Sequence, residues 1–408
     1  MGQGFFGYNP PKFILDAAKS ELDNVVSNQY APTRGNPRLK KAIAEAYSPC
    51  FEKRIDPETE VVITSGANEG MLSAFMGFVE PGDEVIIFEP FFDQYNIEMP
   101  GGTIKYVPLH PPKEGAVRKT RASEWSIDFQ ELEKAFNEKT RMIVGFLYHS
   151  PLLQELELLM TLISGYQYPV RHNPVGKILS LQELKKIALL CVKYNTIIVS
   201  DEVYDRLYYA PFPRIATLSP QIAERTLTVG SVGKNFYATG WRVGYLIGPE
   251  HLIKYVAAAH TRICYSSVAP LQAAAAIGFE KADQVGFWDQ SRQEMRGKID
   301  RFCEVLDELG IPYTDPDGGY FVLANMAAVK LPESYPFPPH IAGRPRDFKL
   351  FWFLAMEFGV GTIPPTEFYT DANAYIGEDW IRFAICKPDE DLEEAKTRLR
   401  GLQKYMVK

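Results

Sequence analysis

The chain has 408 residues, 46% of them hydrophobic and 23% charged, with a formal net charge of −7 and a pI near 5.6. That length suits two domains or one large domain with an appended lobe, and the acidic balance argues against nucleic acid as the main partner, because phosphate binding wants a basic face. No apolar run reaches the length of a membrane span, and the scattered Cys50, Cys191, Cys264, Cys303 and Cys386 form no CxxC pair, which argues against a zinc site or a disulfide framework and suits a reducing compartment.

The first residues, "MGQGFF", start like a myristoylation site but put Phe6 where that motif needs Ser or Thr. They carry no signal or transit peptide. Further on, "PRLKKAIAEAYSPCF" repeats apolar residues at helical spacing after a Gly-Asn-Pro turn. "EVVITSGANEGMLSAFMGFVEPGDEVIIFEPFF" reads as strand, glycine turn, helix, Pro-Gly turn and strand, a βαβ unit that favours a buried parallel sheet. "TRMIVGFL", "NTIIVSDEVY" and "RTLTVGS" are further short apolar strands, and "SLQELKKIALLCVKY" between two of them is an amphipathic helix. Strands alternating with helices predict an α/β fold whose ligands sit beyond the carboxyl ends of the strands. The last hundred or so residues change character. A helix in "RGKIDRFCEVLDELG" precedes a strand in "PDGGYFVLANM", and a Pro-rich loop leads to the helix "FKLFWFLAMEFG" and the strand "DWIRFAICK". The expected organisation is a large α/β domain over 14–279 and a smaller α+β lobe built from 1–13 and 280–408.

The stretch "SVGKNFYATGWRVGYLIGP" sets Lys234 and Arg242 among glycines and aromatics directly after an apolar strand. Taken alone it reads equally as a solvated surface loop. A phosphate-cradling P-loop fails on two positions, since Thr228 stands where the first glycine should be and Asn235 follows the lysine. A lysine amine whose surroundings lower its pKa can instead bond covalently to an aldehyde cofactor. Pyridoxal phosphate is the aldehyde that serves amino-acid chemistry. It needs phosphate ligands, an acid beside the ring nitrogen and a partner for the ring oxygen. Ser231 and Arg242 flank Lys234 as a hydroxyl and a guanidinium fork, and Gly66, Ala67 and Asn68 form a strand-to-helix turn suited to an anion. Asp201 ends an apolar strand, with Tyr204 three residues on. "EPFFDQY" supplies Phe92 to stack on a ring, and Arg382 is a charge inside an apolar strand, which demands an anionic partner. Each has a plain structural alternative: a helix start, a cap, a core aromatic, an internal ion pair.

With "GQGFF", "NQYAPTRGNPRLKKAI", "SGANEG", "EPFFDQY", "HNPVGK", "SDEVYD", "GSVGKNFYATGWRVGY" and "WIRFAICK" in order, the chain resembles the class I/II aminotransferases of fold type I, a family of pyridoxal 5'-phosphate-dependent transferases. More narrowly, it is similar to the kynurenine aminotransferases, also called glutamine transaminase K or cysteine-S-conjugate β-lyase. The resemblance implies a mostly parallel central sheet with helices on both faces and a smaller α+β lobe. It implies that Lys234 holds the cofactor and moves the proton, that Asp201 pairs the ring nitrogen, and that Tyr204 and Asn173 serve the ring oxygen. Ala67, Asn68, Ser231 and Arg242 would bind the phosphate, with Tyr30 reaching in from a second subunit. Phe92 would stack on the ring, Arg382 would clamp the substrate carboxylate, Gly4 would line the pocket and Tyr265 would serve the neighbouring site. A homodimer with shared active sites, no metal and no membrane follow. The aromatic walls Phe92, Tyr95 and Tyr265 suit kynurenine or another bulky amino acid, with an oxo acid such as 2-oxoglutarate as acceptor. Glutamine or aromatic transamination and β-lyase activity fit the same residues.

Two features depart from the family. Its members usually carry a further segment before "GQGF", so any targeting segment lies outside this reading; the expected location is cytoplasmic, with the mitochondrion as alternative. Residues 145–171, "GFLYHSPLLQELELLMTLISGYQYPVR", stand where the family has a short link into "HNPVGK". This insertion is either translated non-coding sequence or a lid at the mouth of the site, where long structureless loops are uncommon. A transcript reading from the strand directly into His172 would rule out the lid. An inactive scaffold is the rival reading from another functional class.

Overall fold

The computed structural model of the protein describes residues 1–145, 175–209 and 214–406. Its main sheet has eight strands: β1 (Val61–Thr64), β2 (Glu84–Glu89), β3 (Thr103–His110), β5 (Ser126–Ile127), β6 (Thr140–Gly145), β7 (Ile197–Asp201), β8 (Thr226–Ser231) and β9 (Gly244–Ile247), in the order β1-β9-β8-β7-β6-β2-β3-β5. β8, β7, β6, β2 and β3 run parallel, whereas β9 is antiparallel to both its neighbours and β5 is antiparallel to β3. The predicted βαβ unit keeps its parallel direction, but β1 and β2 are not neighbours. Four strands lie between them, so the connection that contains the helix Ala67–Phe78 has to pass over β9, β8, β7 and β6.

Alternation along each strand explains why both faces are covered. Val85 and Ile87 of β2, Met142 and Val144 of β6, and Leu227 and Val229 of β8 pack with Met71, Ala74 and Phe75 of the helix Ala67–Phe78 and with Ile253 and Val256 of the helix Glu250–Ile263. On the opposite face Ile86, Ile143 and Ile198 meet Leu184 and Ile187 of the helix Leu181–Lys193. That helix starts on a capping box: Glu183 N donates to Ser180 Oγ at 3.2 Å and Ser180 N donates to Glu183 Oε2 at 2.6 Å.

A second sheet runs β12 (Trp380–Ala384), β11 (Phe321–Asn325), β10 (Tyr313–Asp315) and β4 (Thr120–Arg121), with β4 parallel to β10 and the other pairs antiparallel. β11 and β12 are the strands read from the apolar runs. β4 and β10 are too short to leave a periodic signal, and β4 comes from the first third of the chain, far in sequence from its partners. The long helix Phe287–Leu309 packs on this sheet through Phe302, which meets Phe383 of β12 at 5.2 Å between ring centroids. The first residues run beside β12: Ala384 N donates to the Met1 carbonyl at 2.7 Å and Gly7 N to the Cys386 carbonyl at 3.0 Å. The N-terminal segment is thereby carried to the carboxyl ends of the parallel strands.

Candidate active site

Lys234 sits in the short helix Val232–Asn235 that follows β8 without a loop. Ser231 ends the strand and caps the helix, its Oγ accepting from Lys234 N at 3.3 Å. The lysine amine Nζ donates to the Gly4 carbonyl at 3.0 Å and to the Tyr320 hydroxyl at 2.9 Å. Burial pushes its pKa down to about 8, and the charges of Arg382 and Arg242 act in the same direction, while Asp201 opposes them. Cys386 contributes little charge, because burial holds its own thiol up at about 11. Asp201, Arg242 and Arg382 thus act on one amine from three elements.

Asp201 is the last residue of β7, paired in register with Val229 of β8. Burial raises its pKa above the usual carboxylate value, opposed by a hydrogen bond from Tyr95, whose hydroxyl donates to Asp201 Oδ2 at 2.7 Å. Tyr95, expected as part of an aromatic wall, is buried and fastens the acid. Phe92 stands beside it, edge-on at 5.7 Å, and keeps 36% of its surface exposed. Tyr204, expected near the ring oxygen, has its ring centroid 5.5 Å from Lys234 Nζ and 5.2 Å from the Tyr320 ring.

The anion cradle forms where β1 turns into its helix. Gly66 takes φ +87° and ψ 161°, a conformation open to glycine, and Ala67 and Asn68 begin the helix. A Cβ at Gly66 would lie 2.5 Å from Arg242 Nη2, so the guanidinium lies directly against the turn. A Cβ at Gly244 would lie 2.4 Å from Ala67 N, so β9 also needs a glycine to pass this point. Arg242 itself has φ +53° and donates to the Thr239 carbonyl at 3.1 Å. Among the described residues, Asn68 Oδ1 is buried without a hydrogen-bond partner. Behind the cradle, Glu69 Oε2 accepts from Ser65 N at 2.9 Å and lies 2.8 Å from His260 Nδ1, which Cys264 Sγ approaches at 3.3 Å.

Arg382 lies in β12, buried between the rings of Phe321 and Phe368 at 4.4 and 4.7 Å, and donates to the Gly2 carbonyl at 3.3 Å. Burial lowers its pKa to about 10, which leaves it a cation at neutral pH. Gly4 lies under Phe321, where a Cβ would approach Cζ to 2.7 Å. Tyr30 and Tyr265 do not join this group within one chain. They meet each other edge-on at 5.5 Å on an exposed surface, and Tyr265 takes φ +64°. Asn173 and residues 146–171 of the insertion lie outside the described residues. Sequence reasoning missed Tyr320; the only local signal is the Gly-Gly turn before it, where Gly319 takes φ +75°.

A half-buried lysine whose pKa is lowered to about 8, a carboxylate and two separated guanidinium groups can hold an aldehyde-bearing anion at one end and a carboxylate at the other. The family model described as "Aminotransferase class I and II" matches residues 1–152 and 170–399, and the stretch between falls inside the 145–171 segment. The chain is 46% identical over its whole length, and over 87% of the relative, to the Saccharomyces cerevisiae protein named "Probable kynurenine--oxoglutarate transaminase BNA3". It is 36% identical to the kynurenine--oxoglutarate transaminase of Dictyostelium discoideum, covering 99% of this chain and 90% of that one. Its structure matches the crystal structure of Bna3p from Saccharomyces cerevisiae with a TM-score of 0.91 at 46% identity, over 99% of this chain and 91% of that one.

Proposed function

The chain belongs to the class I and II aminotransferases and has their fold type I architecture; from that premise we propose that it moves the amino group of kynurenine, or of another bulky aromatic amino acid, to 2-oxoglutarate. The relatives named for this reaction support the substrate pair. The cofactor of this reading is pyridoxal 5'-phosphate, and the residues present fit it. The glycine turn packed on Arg242 offers backbone N–H groups, a guanidinium and Ser231 to a phosphate. Asp201 offers a carboxylate held by Tyr95, and Lys234 offers an amine near neutrality.

When bound, the cofactor supplies an aldehyde that holds the amino group and a ring that takes up an electron pair. The rest is done by the chain. Asp201, at the end of β7, would set a carboxylate beside the ring nitrogen and favour the protonated form of that nitrogen. Lys234 Nζ takes the proton from the substrate Cα and returns it, a task suited to an amine with a pKa of about 8. Arg382, walled by Phe321 and Phe368, binds the substrate carboxylate in surroundings where a fork of N–H donors is worth most. The partner in this reading is a second copy of the chain, met through the exposed surface that carries Tyr30 and Tyr265.

The observation that carries the reading is geometric: the Lys234 amine, held by the Gly4 carbonyl and Tyr320, follows the strand β8, whose neighbour β7 ends in Asp201, while Arg242 packs on the Gly66 turn. Purified protein supplied with pyridoxal 5'-phosphate is expected to show a visible absorption band that Lys234→Ala abolishes. With kynurenine and 2-oxoglutarate it is expected to release the cyclised product. A colourless protein that refuses the cofactor would sink the proposal and leave the scaffold reading.

A further inference from the structure

The side chain of Tyr320 is completely buried, and its hydroxyl is in direct hydrogen-bond contact with the reactive amine. A phenylalanine would pack as well there. The ring already meets Phe6 at 5.1 Å, Tyr204 at 5.2 Å and Phe321 at 4.7 Å. The backbone is fixed on both sides, since Gly319 N donates to the Leu207 carbonyl at 2.9 Å and Ile385 N donates to the Tyr320 carbonyl at 2.8 Å. A hydroxyl placed in such a site is unfavourable unless it is bonded. Tyr320 donates to the Gly4 carbonyl at 2.6 Å and accepts from Lys234 Nζ at 2.9 Å, and a side-chain hydrogen bond joins it to Tyr204.

We propose that Tyr320 is a further catalytic residue of this chain, whose hydroxyl shares with the Gly4 carbonyl the task of holding the free Lys234 amine in reacting position. The proposal rests on the aminotransferase reading given above. A neutral primary amine has two N–H groups and one lone pair. Here the two N–H groups have one acceptor each, Tyr320 Oη and Gly4 O, both immobilised, so the lone pair keeps a fixed direction. The choice of a phenol matters. Burial raises the Tyr320 pKa well above its ordinary value, so the group stays neutral and accepts a hydrogen bond without supplying a negative charge. A carboxylate in the same place would draw a proton onto the lysine and remove the lone pair that has to react.

The test separates binding from bond formation in the apoprotein. In covalent capture, Nζ adds to the aldehyde carbon of pyridoxal 5'-phosphate; the aldehyde oxygen leaves as water with the two amine protons, and a C=N bond replaces C=O. Pyridoxamine 5'-phosphate has the same ring and phosphate but no aldehyde. In Tyr320→Phe, titration with pyridoxamine 5'-phosphate is expected to give an unchanged Kd. Stopped-flow capture of pyridoxal 5'-phosphate is expected to slow about tenfold, the effect of one lost hydrogen bond to the reacting group. In turnover, kcat is expected to fall with little change in KM, and the isotope effect of substrate deuterated at Cα to rise. An unchanged capture rate overturns the proposal. So does an equal loss of pyridoxamine phosphate binding and of capture, which would make the hydroxyl part of the cavity's shape. A wild-type protein that binds pyridoxamine phosphate but captures no aldehyde overturns both this proposal and the one it rests on. A thermal midpoint measured on the variant shows that it remains folded.

Discussion

At the scale of single residues, the site is set by what burial does to charge. Lys234 loses hydration, and its amine titrates near 8 instead of at the usual 10.5. The sign follows directly. Between these two values the unfolded chain binds a proton that the folded chain does not, so Lys234 disfavours the fold progressively as pH falls from 10.5 to 8. In that folded chain the neutral amine becomes scarcer below pH 8. Aldehyde capture by the apoprotein is therefore expected to rise about tenfold per pH unit below 8 and to level off above it, as read by stopped-flow absorbance. A profile flat from pH 6 to 9 would contradict the burial of this amine. Gly66 shows a second kind of residue-level constraint. Its φ of +87° with ψ of 161° excludes other side chains, and a Cβ would push against the Arg242 guanidinium. Gly66→Ala is expected to lose roughly 1–3 kcal/mol of stability from backbone strain. It is also expected to weaken pyridoxamine 5'-phosphate binding, since Arg242 has to leave the turn. Urea unfolding and calorimetry check the two effects separately.

Elements hold these residues in place, and elements are what the sequence discloses best. The apolar runs that end in Asp201 and Ser231 are β7 and β8, because a strand buried on both faces must be apolar along its length. The Ser180–Glu183 capping box marks the start of its helix as the pattern requires. Lys234, Asp201 and Arg242 could be picked out because each breaks an apolar or glycine-rich pattern at a strand end. Tyr320 and the role of Tyr95 were hidden for the opposite reason: an aromatic residue in an apolar segment looks like core until its hydroxyl is seen to have a partner. The strand order was hidden too, since nothing local in β1 and β2 says that four strands come between them. The helix Leu181–Lys193 backs β6 and β7 through Leu184 and Ile187, on the face opposite the helix Ala67–Phe78. Ser180→Ala should accordingly lower stability by about 1 kcal/mol through the lost cap. Its kcat/KM is expected to match the wild type at 25 °C, because Asp201 is held by the sheet and by Tyr95. A loss of activity larger than the loss of folded protein would show that the helix end also positions the acid.

At the scale of the whole molecule, one surface stays unexplained by a single chain. Val25, Val26 and Tyr30 are 75%, 79% and 85% exposed, and Tyr265 and Val268 lie exposed as well. They form one region, since Tyr30 packs on Tyr265 and the turn Val26–Asn28 packs on the helix Ala269–Ala282 that follows Val268. Apolar groups clustered this way normally meet another surface, and a patch that lies beside the cradle through the Ser65 contacts to Cys264 and Ser267 can complete the site of a second copy. An isologous pair would bury both patches at once. Val26→Asp puts a charge at the centre of the patch, far from Lys234 in sequence and bonded to none of the groups around it. It is expected to shift the protein toward monomer in sedimentation equilibrium by at least tenfold in Kd, since an unpaired charge in an apolar contact is strongly unfavourable. Cofactor affinity should fall in parallel with dimer content if the neighbouring chain supplies Tyr30, and should recover at concentrations where the variant dimerises. A stable Val26→Asp monomer with wild-type affinity for pyridoxamine 5'-phosphate would mean that each chain builds its site alone.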